Sequence, residues 1–291
     1  MARQIVIDDV ADGRVDDFRD LKRADRRPDR PGGRGFVIAE GAVVVRRMLE
    51  SPYPVRALLG VRRRIEELGD VLGPVDVPAY VTSADIMAEV VGFHLNRGVL
   101  AVADRVGQPA VDGLAATART LAVLEGVGDH ENIGALFRNA AAFGIDGILL
   151  GPGCSDPLYR RSVRVSMGHV LRVPFAVVEE WPDVLETLRG KGFRIAALTP
   201  SPDSAGLHEF GASAAGPVAV LLGAEGPGLS RAAIDASDAA VRVPMADGVD
   251  SLNVATAGAV AFYELVHARG LGWTRPSGAE SGGAGGAAGP W

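Results

Sequence analysis

The chain has 291 residues, 47% hydrophobic and 23% charged, and a net charge of −6. That composition excludes a wholly disordered chain and leaves enough apolar material for a sizeable core, divided between two domains at roughly 100–200 residues each. The charge is uneven: residues 1–64 hold 15 of the 30 Lys and Arg against 10 acidic residues, a net of +5, while the remainder carries −11.

The segment 12–35 is dense in Arg and Asp, and Pro28, Pro31 and three glycines stand near its end. It reads as a short helix followed by an irregular, exposed stretch. An alternation of elements follows, with strands expected at 36–39, 55–59, 77–81 and 98–103 and helices at 41–49, 62–68 and 84–91. Residues 104–118 contain Gly, Pro, Ala and Asp without firm periodicity and read as a linker. A second α/β series begins at Thr120. Its strands are expected at 121–124, 147–150, 175–178, 195–198, 218–222 and 240–243. Its helices are expected at 133–143, 184–190, 231–236 and, rich in alanine, about 252–268. Alternating strands and helices imply a parallel sheet covered on both faces. The Gly/Ala/Ser-rich tail, 276–291, is expected to be disordered.

Apolar runs end well short of the ~18 residues needed to span a bilayer, and the first residues lack a secretory hydrophobic region. The single cysteine, Cys154, excludes an intramolecular disulfide framework and a cysteine-cluster metal site. The five histidines show no metal-ligand spacing. A cytoplasmic protein without metal or membrane attachment is expected.

Three segments at strand-to-helix junctions of the second series are unusual. Asn132-Ile-Gly-Ala-Leu-Phe-Arg138-Asn-Ala140 opens a helix, and Asn132 is expected at or before its start, where the side chain can act as a cap. Leu222-Gly-Ala-Glu225-Gly-Pro-Gly228-Leu229 follows an apolar strand with three glycines and a proline in six positions. A sharp loop at the carboxyl end of a parallel strand is where open α/β sheets bind ligands. Val243-Pro-Met245 through Ser251-Leu252-Asn253-Val254 runs from a strand end into a helix, with Ser251 and Asn253 expected in its first turn. Taken singly, these are ordinary caps and turns. Together, on one edge of one sheet, they are far more specific.

The three segments together resemble the SpoU (TrmH-type) branch of the SPOUT RNA 2′-O-ribose methyltransferases, over residues ~118–268. The pattern N-x-G-x-x-x-R-x-A, then L-G-x-E-x-x-G-L, then [IV]-P-M-x-G and S-L-N-V is matched almost throughout. Ala246 and Asp247 place Gly248 one position late, and Ala255 stands where Ser is frequent. Asp156-Pro-Leu-Tyr-Arg160 and Ser166-Met-Gly168 resemble the family's connecting segment. Phe36 to Gly41 and His94 to Gly98 resemble the L30e-like substrate-binding domain of its rRNA-modifying members.

The resemblance implies an α/β chain with a trefoil-knotted SPOUT methyltransferase domain (118–270) built on a parallel sheet. A smaller L30e-like α/β domain (1–105), with an Arg-rich N-terminal segment, and a linker (106–117) would precede it, and a tail (271–291) would follow. It implies S-adenosylmethionine held by Leu198, Thr199, Leu222, Gly223, Gly228, Val243 and Leu252. It also implies a homodimer whose active site is completed across the interface. The expected reaction is methyl transfer to a ribose 2′-hydroxyl, with 23S rRNA as substrate. The alternatives are a tRNA 2′-O-methyltransferase of the same family, or a non-catalytic RNA- or ribosome-binding protein.

By the same resemblance Arg138 lies beside the target nucleotide, with Asn132, Glu225, Ser251 and Asn253 around it. Bringing an Arg pKa from about 12.5 to about 7 costs ~7 kcal/mol, so Arg138 is expected to grip a phosphate and stabilise the developing oxyanion rather than act as base. A phosphate oxygen or water then takes the proton. Glu225 is expected to fix its loop. Arg160, Arg161 and Arg164 either line an RNA path or form an exposed helical face.

One rival reading rests on Val123-Leu-Glu-Gly126-Val-Gly128-Asp-His130, which resembles a nucleotide-binding glycine loop with Asp146 as the ribose-binding acid. Only G-x-G is present, because Glu131 occupies the third glycine's place. This reading leaves the second and third segments unexplained.

Overall fold

The computed structural model describes residues 3–21, 35–213 and 216–268. Residues 22–34 and the tail lie outside the described residues, so the irregular stretch and the disorder expected there are not addressed by it.

The first unit contains β1 (Arg3–Val6), a 3-10 turn (Gly13–Phe18), β2 (Phe36–Glu40), α1 (Ala42–Leu49) and β3 (Val55–Val61). Then come α2 (Arg62–Glu67), α3 (Gly69–Leu72), β4 (Pro78–Thr82), α4 (Ala84–Val91) and β5 (Val99–Asp104). The strands form one sheet in the order β1-β4-β3-β5-β2. It is mixed, because β5 runs antiparallel to β2 and β3. β1 is not predicted from the sequence: it is a four-residue edge strand with only partial burial, so its periodicity is weak.

Residues 104–118, expected to be a linker, contain a helix, α5 (Val111–Thr117). Leu114 and Ala115 are buried on it, and a Cβ at Gly147 would lie 2.8 Å from Leu114 Cδ1. Gly113 weakens helical propensity in this segment, and docking of the apolar face offsets it.

The second unit contains β6 (Thr120–Glu125), α6 (His130–Phe143), β7 (Gly147–Leu150), α7 (Arg160–Val165), β8 (Phe175–Val177), α8 (Val184–Gly190) and β9 (Arg194–Leu198). It continues with β10 (Ala205–Gly206), α9 (Leu207–Ser213), β11 (Val218–Gly223), α10 (Arg231–Asp235), β12 (Ala239–Arg242) and α11 (Val254–Ala268). Seven strands make an all-parallel sheet in the order β10-β12-β9-β11-β6-β7-β8. β11, late in the chain, inserts between β6 and β9. β6 is buried along its whole length and β11 up to Leu222, as expected of a parallel sheet covered on both faces.

One core cluster spans both units, joining Val44 and Met48 of α1 to Phe137 of α6, Leu171, and Phe262 of α11. Polar braces cross the same seam. Buried Glu40, 6% exposed, accepts from Arg160 at 2.9 Å and lies 3.7 Å from Arg164. Arg105 pairs with Asp156, and Arg172 with Glu50. Of the three arginines left open between an RNA path and an exposed face, Arg160 and Arg164 are braces to Glu40, and Arg161 pairs with Glu131.

Among the described residues no helix is long and apolar enough to cross a membrane. Nor, among them, does any group of three or more His, Cys, Asp and Glu side chains form a metal site.

Candidate cofactor cleft and active site

The carboxyl ends of the neighbouring strands β12, β9 and β11 open onto a cleft of about 350 Å³. That volume lies within the range of small-molecule sites, roughly 300–1,000 Å³. Its wall is mostly apolar. Leu198, Leu222, Val243 and Leu252 face it, with Gly223 and Gly228 on the loop after β11 and Ser251, Asn253 and Glu225 at its edge. All seven residues expected to hold a cofactor line this cleft.

The loop after β11 is shaped by its glycines. Gly226 and Gly228 have φ of +84° and +71°, in the left-handed region that a side chain disfavours. A Cβ at Gly223 would stand 2.3 Å from Gly228 C, so the loop doubles back against its own start. The Gly228 N–H donates to the Ala224 carbonyl at 3.0 Å and closes the turn.

Glu125, at the carboxyl end of β6, holds the far side of this loop. Its Oε2 accepts from the Ser230 N–H at 2.8 Å, and its Oε1 accepts from Trp181 Nε1 at 2.7 Å. Ser230 in turn caps α10 through the Ala233 N–H. The sequence reading gave Glu125 no role. An acidic residue ending an otherwise apolar strand was the available signal.

The three motif segments meet at Asn253. Its Nδ2 donates to Asn132 Oδ1 at 2.8 Å and to Glu225 Oε1 at 2.6 Å. Its Oδ1 accepts from the N–H groups of Ala255 at 3.0 Å and Thr256 at 3.2 Å. Asn253 is therefore the cap of α11, which starts at Val254 rather than 252, and Ser251 lies outside the helix on the cleft wall. Both the N–H groups and the oxygen of the Asn253 side chain are engaged at this junction, which makes it a tie between its neighbours at the edge of the cleft.

The expected cap role of Asn132 is also corrected. Asp129 caps α6, accepting from the N–H groups of Glu131 and Asn132, and Asn132 is the third residue of the helix. With Ala135 and Asn139 it lines a shallow groove between α6 and α11. Asn139, unremarked in the sequence, donates to the Ala255 carbonyl at 2.9 Å and ties the two helices. Gly258 permits their close approach, since a Cβ there would lie 2.5 Å from Leu136 Cδ2.

Arg138 is not brought into the cleft of its own chain. Six residues after Asn132, it lies about 120° around α6. It is exposed and has no hydrogen-bonded or ion-paired partner among the described residues. Its electrostatic neighbours are Arg47 and His169.

Residues 119–263 match the model of the SpoU rRNA methylase family. An uncharacterized tRNA/rRNA methyltransferase of Mycobacterium tuberculosis is 57% identical over 257 residues, covering 88% of this chain and 89% of that protein. The chain belongs to the SpoU family of RNA methyltransferases. A second relative, the 23S rRNA (guanosine(2553)-2′-O)-methyltransferase of Bacillus subtilis, is 27% identical over 247 residues, or 85% of this chain and 94% of its own. The crystal structure of an AdoMet-bound rRNA methyltransferase from Sinorhizobium meliloti superposes with a TM-score of 0.76 at 22% identity, covering 91% of this chain and 98% of that one. At that identity the likeness establishes a shared fold. The G-x-G reading is overturned: Gly126 and Gly128 lie within the matched SpoU region, and neither lines the cleft.

Proposed function

We propose that this chain transfers a methyl group from S-adenosylmethionine to a ribose 2′-hydroxyl of RNA, acting on 23S rRNA in the cytoplasm as a homodimer. The observation that carries the reading is the junction of Asn132, Glu225 and Asn253 beside the cleft, since three separated motifs converge on one point. The B. subtilis relative, a 23S rRNA 2′-O-methyltransferase by name, aligns across both units and supports the substrate class.

The cleft fits the cofactor. Leu198, Leu222, Val243 and Leu252 offer apolar walls for an adenine ring. The loop after Gly223, too tight for a Cβ, leaves backbone groups at the surface for polar contacts. Leu198, Thr199, Leu222, Gly223, Gly228, Val243 and Leu252 would hold it. When bound, S-adenosylmethionine supplies an electrophilic methyl group.

The chain's own residues orient the hydroxyl and balance its charge. The Asn253 tie fixes Asn132 and Glu225, and the Asn132 amide keeps its N–H groups available to RNA. Ser251 lies on the cleft wall, where its hydroxyl can orient the sugar. Arg138 grips a phosphate and stabilises the developing oxyanion. A phosphate oxygen or water receives the proton. Because Arg138 does not line its own chain's cleft, a second copy supplies it. Val260 and Tyr263, 38% and 52% exposed on α11, are suited to that interface.

We read the first unit as the L30e-like substrate-binding domain. The chain through α11 we read as a trefoil knot, supported by insertion of β11 between older strands and by the packing of α11 on α6, α9 and β11.

The test is incorporation of labelled methyl groups into naked 23S rRNA, intact subunits and bulk tRNA, with nucleosides scored for 2′-O-methylation. Label in rRNA as a 2′-O-methyl nucleoside is expected. Label in tRNA alone would overturn the substrate, and absence of both label and cofactor binding would favour a non-catalytic RNA-binding protein.

A further inference from the structure

Three arginines and a histidine are carried by elements that pack together where the two units meet, because both α1 and α6 pack on the 3-10 turn at His169–Leu171. Arg47 of α1 donates from Nη1 to the Met167 carbonyl oxygen at 2.5 Å. Its stem lies over Gly168, where an added Cβ would sit 3.3 Å from Arg47 Cβ. Met167 and Gly168 have φ of +54° and +84°, and this left-handed turn leads into the 3-10 turn His169–Leu171. Arg172 follows that turn and pairs with Glu50. α6, which carries Arg138, packs on the same 3-10 turn.

The charges do not balance. Burial, then Arg172 and Arg138, hold the Arg47 pKa below its ordinary value, and among the described residues the Glu50 carboxylate acts against them. Burial, followed by Arg47, Arg172 and Arg138, lowers the His169 pKa. Elsewhere along the seam the arginines are neutralised, Arg160 and Arg164 by Glu40 and Arg105 by Asp156. Like charges held together on a rigid frame cost free energy, and a bound anion offsets it. The planar forks of Arg match a phosphate in particular.

We infer that Arg47, Arg138, Arg172 and His169 form a seat for one backbone phosphate of the RNA, gripped from both units at once. Phosphate contacts set register rather than read sequence. Arg47 would thus tie the first unit's hold on the RNA to the position of Arg138 in the second. This inference rests on the RNA-binding half of the proposed function.

The test measures binding of deproteinised 23S rRNA and bulk tRNA by the full chain across a potassium chloride series, beside methyl transfer and cofactor calorimetry. Arg47→Gln and Arg172→Gln are each expected to weaken RNA binding by roughly tenfold at low salt. Each should also lower the slope of log K against log salt by about 1, with cofactor affinity unchanged. Glu50→Gln removes the opposing carboxylate and is expected to tighten binding severalfold. This variant carries the test if loss of Arg47 prevents folding. Unchanged affinity and slope in Arg172→Gln and Glu50→Gln, in a chain that binds and methylates RNA, would overturn the phosphate seat alone. RNA binding with the expected variant effects but no methyl transfer would support the seat and overturn the enzymatic reading. A wild-type chain that binds neither RNA overturns both.

Discussion

Asn253 and Glu225 are joined side chain to side chain, amide Nδ2 to carboxylate Oε1 at 2.6 Å. The bond fastens the loop after β11 to the start of α11, and the same amide reaches Asn132 on α6. Two segments that line the cleft are thereby tied to each other and to α6.

Asn253→Ala removes both the junction and the cap of α11. Loss of a helix cap costs about 1 kcal/mol, and release of the loop adds to it. Chemical denaturation should show destabilisation of about 1–2 kcal/mol, and calorimetry a weaker cofactor affinity. Unchanged values for both would show the junction to be incidental.

Gly223→Ala places a methyl group where Gly228 C would lie 2.3 Å away. The loop must open, at a cost of about 1–3 kcal/mol for overpacking. Cofactor affinity should fall much more than stability. The measurement is calorimetric titration with S-adenosylmethionine alongside thermal unfolding.

Arg138→Ala should reduce methyl transfer by about 10²–10³-fold, the scale of losing one group that stabilises developing charge. Cofactor binding should persist, because Arg138 lies outside the cleft of its own chain. Mixing this variant with a second one defective in Gly223 should restore part of the activity if the site is completed between copies.

Glu40→Gln leaves Arg160 and Arg164 without their buried carboxylate. Removing one partner of a largely buried ion pair costs roughly 3 kcal/mol. Denaturant unfolding should show that loss.

His169 makes stability depend on pH. Its folded pKa lies below the ordinary 6.5, because burial and then Arg47, Arg172 and Arg138 disfavour the imidazolium. The unfolded chain therefore binds the extra proton first. This contribution is fully present above about pH 6.5 and is lost as the pH falls toward the folded pKa. His169→Gln should flatten the stability profile between pH 7.5 and 5.5, and an equally steep profile would count against the assignment.

Most of the second unit was legible because its elements are long or strongly patterned. Its apolar strands and the helices between them announce a parallel sheet, and glycine-rich loops mark the strand ends that face a ligand. The failures have local causes. β1 and β10 are edge strands of four and two residues, too short to carry a period. α5 is held by docking of Leu114 against a propensity weakened by Gly113. At α6 two capping residue types, Asp129 and Asn132, stand three apart, and the apolar run beginning at Ile133 favoured the wrong one.

The sequence by itself determined which residue types occupy the three motif loops, and hence the family, the cleft-lining set and the class of chemistry. Local periodicity and turn residues place those loops at strand-to-helix junctions, because each reports the burial and backbone geometry of its own element, and the family and its chemistry follow from the resemblance of the loops to the SpoU pattern. Only the tertiary structure decided that Asn253 meets Asn132 across 121 residues of chain. It alone decided that Arg47 crosses 120 residues to Met167, and that Arg138 turns away from the cleft. These relationships depend on strand order and helix packing, which bring distant side chains together with no trace in the spacing of either segment.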